Sequence, residues 1–442
     1  MHSPAKVPAQ LYPAGSSEPV TIFRMKLVGA FLAAVVLALA LQAQTAAHPV
    51  TVPITLDHNR TIIDVYLLLP DGKNKRVRAW VDNGNAELWM TESLAKQLEL
   101  PLTGEPKPAL YGKQRAVHTP ASLQIGGMTI QLAGVKEAQA ILDRESVAPG
   151  CSAEITLPST VLRSYDVLFD FPSRQFTIGP PGSIQFKGQS SKMLLNSQNG
   201  LIQVASKIAG QESNLALDLG ASTSLISAER LTQLQKSESS WPHMTGGIAA
   251  ANMWGTEEEL RWEVLRIANL QFGATTLTNV AAASFPDQEL KWFQDGAGLP
   301  TLGLIGANAL VDYQVGLDYA HNTMYLDRRN RVSAPDMDVV GLILRPESDG
   351  RYTVLGVADY EGKPSVPEVK AGNILLGVDG APATGATMGQ VWSLLGGGPG
   401  QIRTLTLERE GKRFTVDAPV RRFLAPGAMP VKSPRRNPHR RN

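Results

Sequence analysis

Two short segments of this 442-residue chain place carboxyl groups where they could do acid–base chemistry. The first reads Ala79-Trp80-Val81-Asp82-Asn83-Gly84, and the second reads Ala216-Leu217-Asp218-Leu219-Gly220-Ala221-Ser222, its aspartate 136 positions further on. Hydrolysis of an amide without a metal or a covalent intermediate needs one carboxylate to activate a water and a second carboxyl group to supply a proton. Two aspartates held close together meet both needs, because they cannot both ionise cheaply and so keep one proton between them. A single Asp before a glycine is ordinarily a turn residue bonded to nearby backbone N–H groups. Two of them at matched places in a repeat point instead to a duplicated ancestor.

The elements around each aspartate repeat as well. An apolar run ends at the aspartate, the glycine permits a tight turn, and a second apolar run follows. A helix is expected next, at Glu92 to Leu98 and at Ala228 to Leu234, with Thr91 and Ser227 placed as N-caps. The repeats also end alike: Tyr165-Asp166-Val167-Leu168-Phe169-Asp170 matches Tyr313-Gln314-Val315-Gly316-Leu317-Asp318 at an offset of 148. Asp170 and Asp318 each close an apolar strand before a turn and read as structural. Between these landmarks, Ser122-Leu123-Gln124-Ile125 before Gly126-Gly127 and Leu270-Gln271-Phe272 before Gly273 read as hairpin strands, so each repeat is expected to be mostly β.

A duplicated β unit with one Asp-x-Gly per copy, a later Leu304-Ile305-Gly306 segment and a closing strand with aspartate resembles the pepsin and retropepsin superfamily of aspartic proteases. Specifically, it resembles bacterial retropepsin-like proteins with two lobes in one chain. The resemblance covers about 280 residues. It implies a mainly β, bilobal acid-protease fold in which Asp82 and Asp218 meet as the catalytic dyad of an aspartic endopeptidase, with Asn83, Gly84, Leu219, Gly220, Ala221 and Ser222 forming the two active-site loops. Tyr111-Gly112, 29 residues after Asp82, is the candidate flap, and Gly246-Gly247 through Trp254-Gly255 stands at the corresponding place in the second copy. Neither a metal nor another cofactor is implied. The family has Thr or Ser after each aspartate, where this chain has Asn83 and Leu219; leucine has no hydrogen-bonding group, so a network linking the loops is expected to be asymmetric or absent. Leu157-Pro158 replaces the apolar-Gly pair of the first copy, so the first loop is expected to lack a usual support. A non-catalytic scaffold that binds peptide in the same groove is the alternative reading.

After a basic and polar linker, Val369-Lys370-Ala371-Gly372-Asn373-Ile374-Leu375-Leu376-Gly377-Val378-Asp379-Gly380 resembles the Ala-Gly-Asp hairpin of bacterial PDZ domains, with Asn373 in place of the aspartate. That resemblance implies a domain that adds an extended polypeptide to a sheet edge, here at Gly341, Leu342 and Ile343. The expected order is a leader and signal peptide at 1–47, lobes at 48–180 and 181–330, the PDZ domain at 335–424 and a disordered basic tail at 425–442.

Composition narrows the alternatives. A net charge of +2 with 43% hydrophobic and 19% charged residues gives no electrostatic footprint for nucleic acid. Cys151 stands alone, which leaves no disulfide framework, and the seven histidines show no paired zinc-ligand spacing. Lys26 precedes an apolar run from Leu27 to Leu41 and small residues follow, the pattern of a secretory signal; at about 15 residues the run is short for a membrane span. An exported, periplasmic or extracellular monomer acting on polypeptides is expected, with no stable membrane span after signal cleavage.

Overall fold

The computed structural model describes residues 48–109, 112–132, 134–136, 138–329 and 336–425, which are mainly β. The leader at 1–47, Tyr111 of the candidate flap and the tail from 426 onward lie outside the described residues. No helix among the described residues is long and apolar enough to cross a membrane.

In the first repeat, the strand Arg60–Leu68 turns at Asp71-Gly72 and returns as β1 (Asn74–Asp82). Gly72 has φ of 82°, a conformation that side-chain-bearing residues resist. Along β1 the side chains of Val77, Ala79 and Val81 are fully buried, the period-two pattern of a strand with one face in the core. The chain leaves β1 at Asp82, turns, and resumes as β2 (Leu88–Thr91), which runs into α1 (Glu92–Gln97). The Thr91 hydroxyl accepts from the Leu94 N–H at 3.2 Å, satisfying one of the first-turn donors. The strands β3 (Leu102–Ala109) and β4 (Gly112–Val117) then form an antiparallel hairpin. The next strand that matters to the site, β5 (Ile155–Pro158), inserts between β1 and β2, parallel to the first and antiparallel to the second. The repeat closes with β6 (Asp166–Asp170).

The second repeat rebuilds the same arrangement. The strands β7 (Gln211–Leu217) and β8 (Ser224–Ser227) flank the Asp218 turn, and α2 (Ala228–Ser237) follows with the Ser227 hydroxyl accepting from the Arg230 N–H at 3.1 Å. A further helix, α3 (Asp287–Ala297), precedes β9 (Gly303–Ile305), which lies parallel to β7 and antiparallel to β8. Both expected hairpins are present, Ser122–Ile125 with Met128–Gln131 and Glu263–Phe272 with Thr275–Phe285.

The matching ends of the repeats meet in a shared six-stranded sheet: β6 pairs antiparallel with β10 (Tyr313–Asp318), Asp166 opposite Asp318 and Phe169 opposite Val315. Asp170 accepts from the Ser173 N–H at 2.9 Å and Asp318 from the His321 N–H at 3.0 Å, so both hold turns. One apolar core containing Val65, Phe169, Ile202 and Leu326 runs through both repeats. This continuity fixes the two aspartate turns relative to each other.

The C-terminal residues form another six-stranded sheet with β11 (Leu342–Pro346) at its edge, and α4 (Met388–Leu395) packs beside it. Thr387 and Gln390 make a reciprocal capping box at the start of α4. This unit shares an apolar core with the second repeat, where Ile248, Met253 and Trp262 join Met337, Leu344, Val354 and Leu424. The first repeat grips it too, because the Asp57 carboxylate accepts from the Thr387 hydroxyl at 2.6 Å and from the Gly389 N–H at 3.1 Å.

Candidate active site

Each aspartate stands where a buried strand gives way to a tight turn, and a neighbouring strand braces that turn from behind. The Asp218 N–H donates to the Ile305 carbonyl at 3.0 Å, and the Ala307 N–H donates to the Ala221 carbonyl at 2.9 Å. At the equivalent place in the first repeat, Ser159 donates both its N–H, at 2.8 Å, and its hydroxyl, at 2.9 Å, to the Asn85 carbonyl. The first loop therefore keeps its support although Pro158 stands where the second repeat has Gly306. In both repeats the residue after this position supplies the bracing N–H, Ser159 in the first and Ala307 in the second, and the serine adds its hydroxyl.

The two loops face each other. A Cβ added at Gly84 would lie 2.1 Å from the Asp218 Cγ, and one added at Gly220 would lie 2.3 Å from the Asp82 Oδ1. Each carboxyl group thus fills the space that the opposite loop's glycine leaves vacant, which brings the two aspartates into one site. Asn83 ties the loops together: its Nδ2 donates to the Leu217 carbonyl at 2.8 Å and its Oδ1 accepts from the Leu219 N–H at 2.7 Å. The linking network is asymmetric, since one carboxamide supplies both bonds and Leu219 contributes only its main chain. The Leu219 side chain is fully buried in the shared core.

Electrostatics separates the two carboxyl groups. Burial raises Asp82 well above the ordinary carboxylate range and the charge of Asp218 raises it further, against the Gly84 N–H, the Arg60 guanidinium and the Asn85 N–H, which favour its ionised form. Burial also raises Asp218, to about 6, opposed by the N–H groups of Ala221 and Gly220, which donate to its Oδ1 at 3.0 and 2.9 Å. Asp82 accepts one such bond, from Gly84 at 3.2 Å. Asp218 is the better hydrogen-bonded carboxylate, which favours its ionised form, whereas burial and the charge of Asp218 favour the protonated form of Asp82.

A cleft of about 520 Å³ opens over this pair. Its lining includes five aromatic residues, Trp80 and Trp89 from the first repeat and Trp254, Trp262 and Phe285 from the second, together with the acidic Glu258 and Glu289. Trp254 packs edge-on against Trp262 at 5.4 Å between ring centres. Arg60 lines the cleft as well, its guanidinium stacked over Trp80 at 5.2 Å and donating to the Met253 carbonyl at 2.7 Å. A larger hollow of about 820 Å³ along Ala205–Asn214 is lined by Lys207 and Glu212, which pair with each other at 3.6 Å, and lacks such convergent groups.

The remaining candidate residues fall at several depths. Ala221 lines the cleft, whereas the Ser222 hydroxyl is buried behind it, 3.2 Å from the His58 Nδ1. Gly112 begins β4, and no described residue of the β3–β4 hairpin is among those that line the cleft. Met253, Trp254 and Thr256 do line it. Gly341, Leu342 and Ile343 are buried, Gly341 against Phe423 and Ser365, with the adjoining Leu344 main chain bonded to Asn252. Sequence reading passed over Arg60, Asn252, Glu259 and Ser159. A scan against protein-family models finds no match, and a search of curated proteins finds none similar to the chain.

Proposed function

We propose that the chain is an aspartic-type endopeptidase built on two pepsin- or retropepsin-like lobes with a PDZ-like C-terminal domain. The observation that carries this reading is the reciprocal seating of Asp82 over Gly220 and of Asp218 over Gly84. Both carboxyl groups are raised by burial, and they differ in hydrogen bonding in the sense that leaves one proton on the pair.

In this mechanism, ionised Asp218 takes a proton from a water as its oxygen attacks the peptide carbonyl carbon, while Asp82 gives its proton to the carbonyl oxygen. A tetrahedral diol results. Its collapse returns a proton to Asp82, passes the proton on Asp218 to the leaving nitrogen, and breaks the C–N bond, which restores the starting state of the pair. The Asn83 bonds hold the loops in register, and the aromatic cleft shields the reaction from bulk water. A polypeptide substrate and an exported location are parts of the same proposal, the latter resting on the Leu27–Leu41 segment and the small residues that follow it.

The test is to incubate the protein and its Asp82→Asn and Asp218→Asn variants with a mixed peptide library and sequence the products. The proposal expects cleavage by the parent and none by either variant. Cleavage that survives either substitution excludes the dyad.

A further inference from the structure

The outer edge of β11 is the edge that the PDZ resemblance would reserve for an added polypeptide, and it already has a partner. Asn252, fully buried, donates from Nδ2 to the Leu344 carbonyl at 2.9 Å and accepts at Oδ1 from the Leu344 N–H at 2.9 Å. One carboxamide thereby makes the donor-and-acceptor pair that a peptide group would make on an added strand. Two residues along, Pro346 has no N–H to offer. Backbone packs against the same edge: a Cβ added at Gly255 would lie 2.7 Å from Pro346 Cδ and 3.0 Å from Arg345 Cα, and one at Gly246 would lie 3.0 Å from Ile343 Cδ1. Leu342, Ile343 and Leu344 are at most 1% exposed.

The occupying segment is also a wall of the cleft. Asn252 donates to Glu259 Oε2 at 2.6 Å, and the same carboxylate accepts from the Trp254 N–H at 2.6 Å and from the Gly255 N–H at 3.0 Å. The loop's Met253, Trp254 and Thr256, with Trp262 just beyond it, line the space over Asp82 and Asp218. A single chain of bonds therefore runs from the C-terminal sheet through Asn252 and Glu259 to the aromatic wall.

We infer that Asn252 and Glu259 are positioning residues, which fix the Met253–Trp262 wall to β11 so that the C-terminal domain shapes the substrate cleft in cis instead of receiving a free polypeptide at that edge. This inference rests on the Asp82–Asp218 cleft being the substrate site. Its reach is confined to the wall: the bonds of Asn83 and the N–H groups that hold the aspartates are separate from it.

Two arms test it on the full chain. In the kinetic arm, Asn252→Ala is expected to raise KM for a cleaved peptide by about tenfold, the worth of two main-chain hydrogen bonds, with kcat within about twofold of the parent. An unchanged KM with a depressed kcat overturns the inference. The second arm needs no cleavage and so separates failure of the inference from failure of the protease reading. Hydrogen exchange in the unsubstituted protein should show the amides of Leu344, Trp254 and Gly255 opening in one step, not accelerated by an excess of random heptapeptides with free carboxylates. Independent opening of Leu344 overturns the inference, and so does release of Trp254 and Gly255 on adding peptide. Because this arm uses the parent chain, it holds even if Asn252→Ala fails to fold.

Discussion

Asn83 and Leu219 are joined across the two repeats by a 2.7 Å bond from the leucine N–H to the asparagine carbonyl oxygen, and the same carboxamide holds the Leu217 carbonyl. The two bonds bracket Asp218, so the residue after one aspartate sets the position of the other. Asn83→Leu removes both bonds and leaves a buried donor and a buried acceptor unpaired, at a cost of about 2–4 kcal/mol. Under the proposed mechanism, displacement of Asp218 by even 1 Å is expected to lower the rate by roughly a hundredfold. Urea denaturation and peptide cleavage check the two effects separately. Leu219→Ser, which would place a hydroxyl after the second aspartate, is expected to lose about 2–4 kcal/mol because it empties a fully buried site in the shared core.

Gly84→Ala places a methyl group where the Asp218 carboxyl group now sits, 2.1 Å from its Cγ. Gly84 is not among the residues with positive φ, so the backbone itself tolerates alanine. The carboxyl group must therefore give way. The expected result is a near-parental melting temperature with cleavage reduced by roughly a hundredfold or more. Gly220→Ala should behave in the same way through Asp82 Oδ1. A large fall in stability with activity per folded molecule intact would contradict the seating of the carboxyl groups.

The pH dependence of cleavage follows from which aspartate ionises first. In the proposed mechanism Asp218 must be charged to accept the proton of water, and burial has raised it to about 6. The acid limb of kcat/KM should therefore bend near pH 6 and fall about tenfold per pH unit below it. In the same mechanism Asp82 keeps its proton, which burial and the charge of Asp218 both favour, so the alkaline limb reports its loss. The pair titrates as a unit, and a rate profile measures the two limbs as properties of the pair. A profile that is flat from pH 4 to 7 would rule out this proton arrangement.

Much of this was legible in the sequence where the chemistry is local. Thr91 and Ser227 act on N–H groups three residues away, glycine marks the hairpin turns, and the period-two pattern of Val77, Ala79 and Val81 declares a buried strand face. The matched Asp-x-Gly turns were readable because duplication wrote them twice. What stayed hidden depends on contacts between distant segments. Nothing near Asn252 shows that it bonds to Leu344, 92 positions away, and Asn59 likewise reaches the Ser222 carbonyl across 163. Glu259 closes the run Glu257-Glu258-Glu259, which reads as a solvated charge cluster, yet the loop folds around it and buries its carboxylate. Pro158 looked like a lost support because the compensating bonds come from the next residue, Ser159, to a carbonyl 74 positions earlier.

That buried glutamate leads to a prediction about stability. Desolvation raises Glu259 from the usual 4.5 to about 7, although N–H donors from Trp254, Asn252 and Gly255 favour its charged form. A carboxyl group raised on folding binds its proton more tightly in the folded chain, so its stabilising contribution is complete below about pH 4.5 and is lost as pH rises through 7. Asp82 and Asp218 are raised as well and act in the same direction. The melting temperature should thus be higher at pH 5 than at pH 8, with Glu259 accounting for roughly 3 kcal/mol at about 1.4 kcal/mol per pKa unit. Glu259→Gln cannot ionise, so it should flatten this dependence. Thermal melts of both proteins across pH 4 to 9 decide the matter, and an equal slope in the two would mean that Glu259 does not titrate within that range.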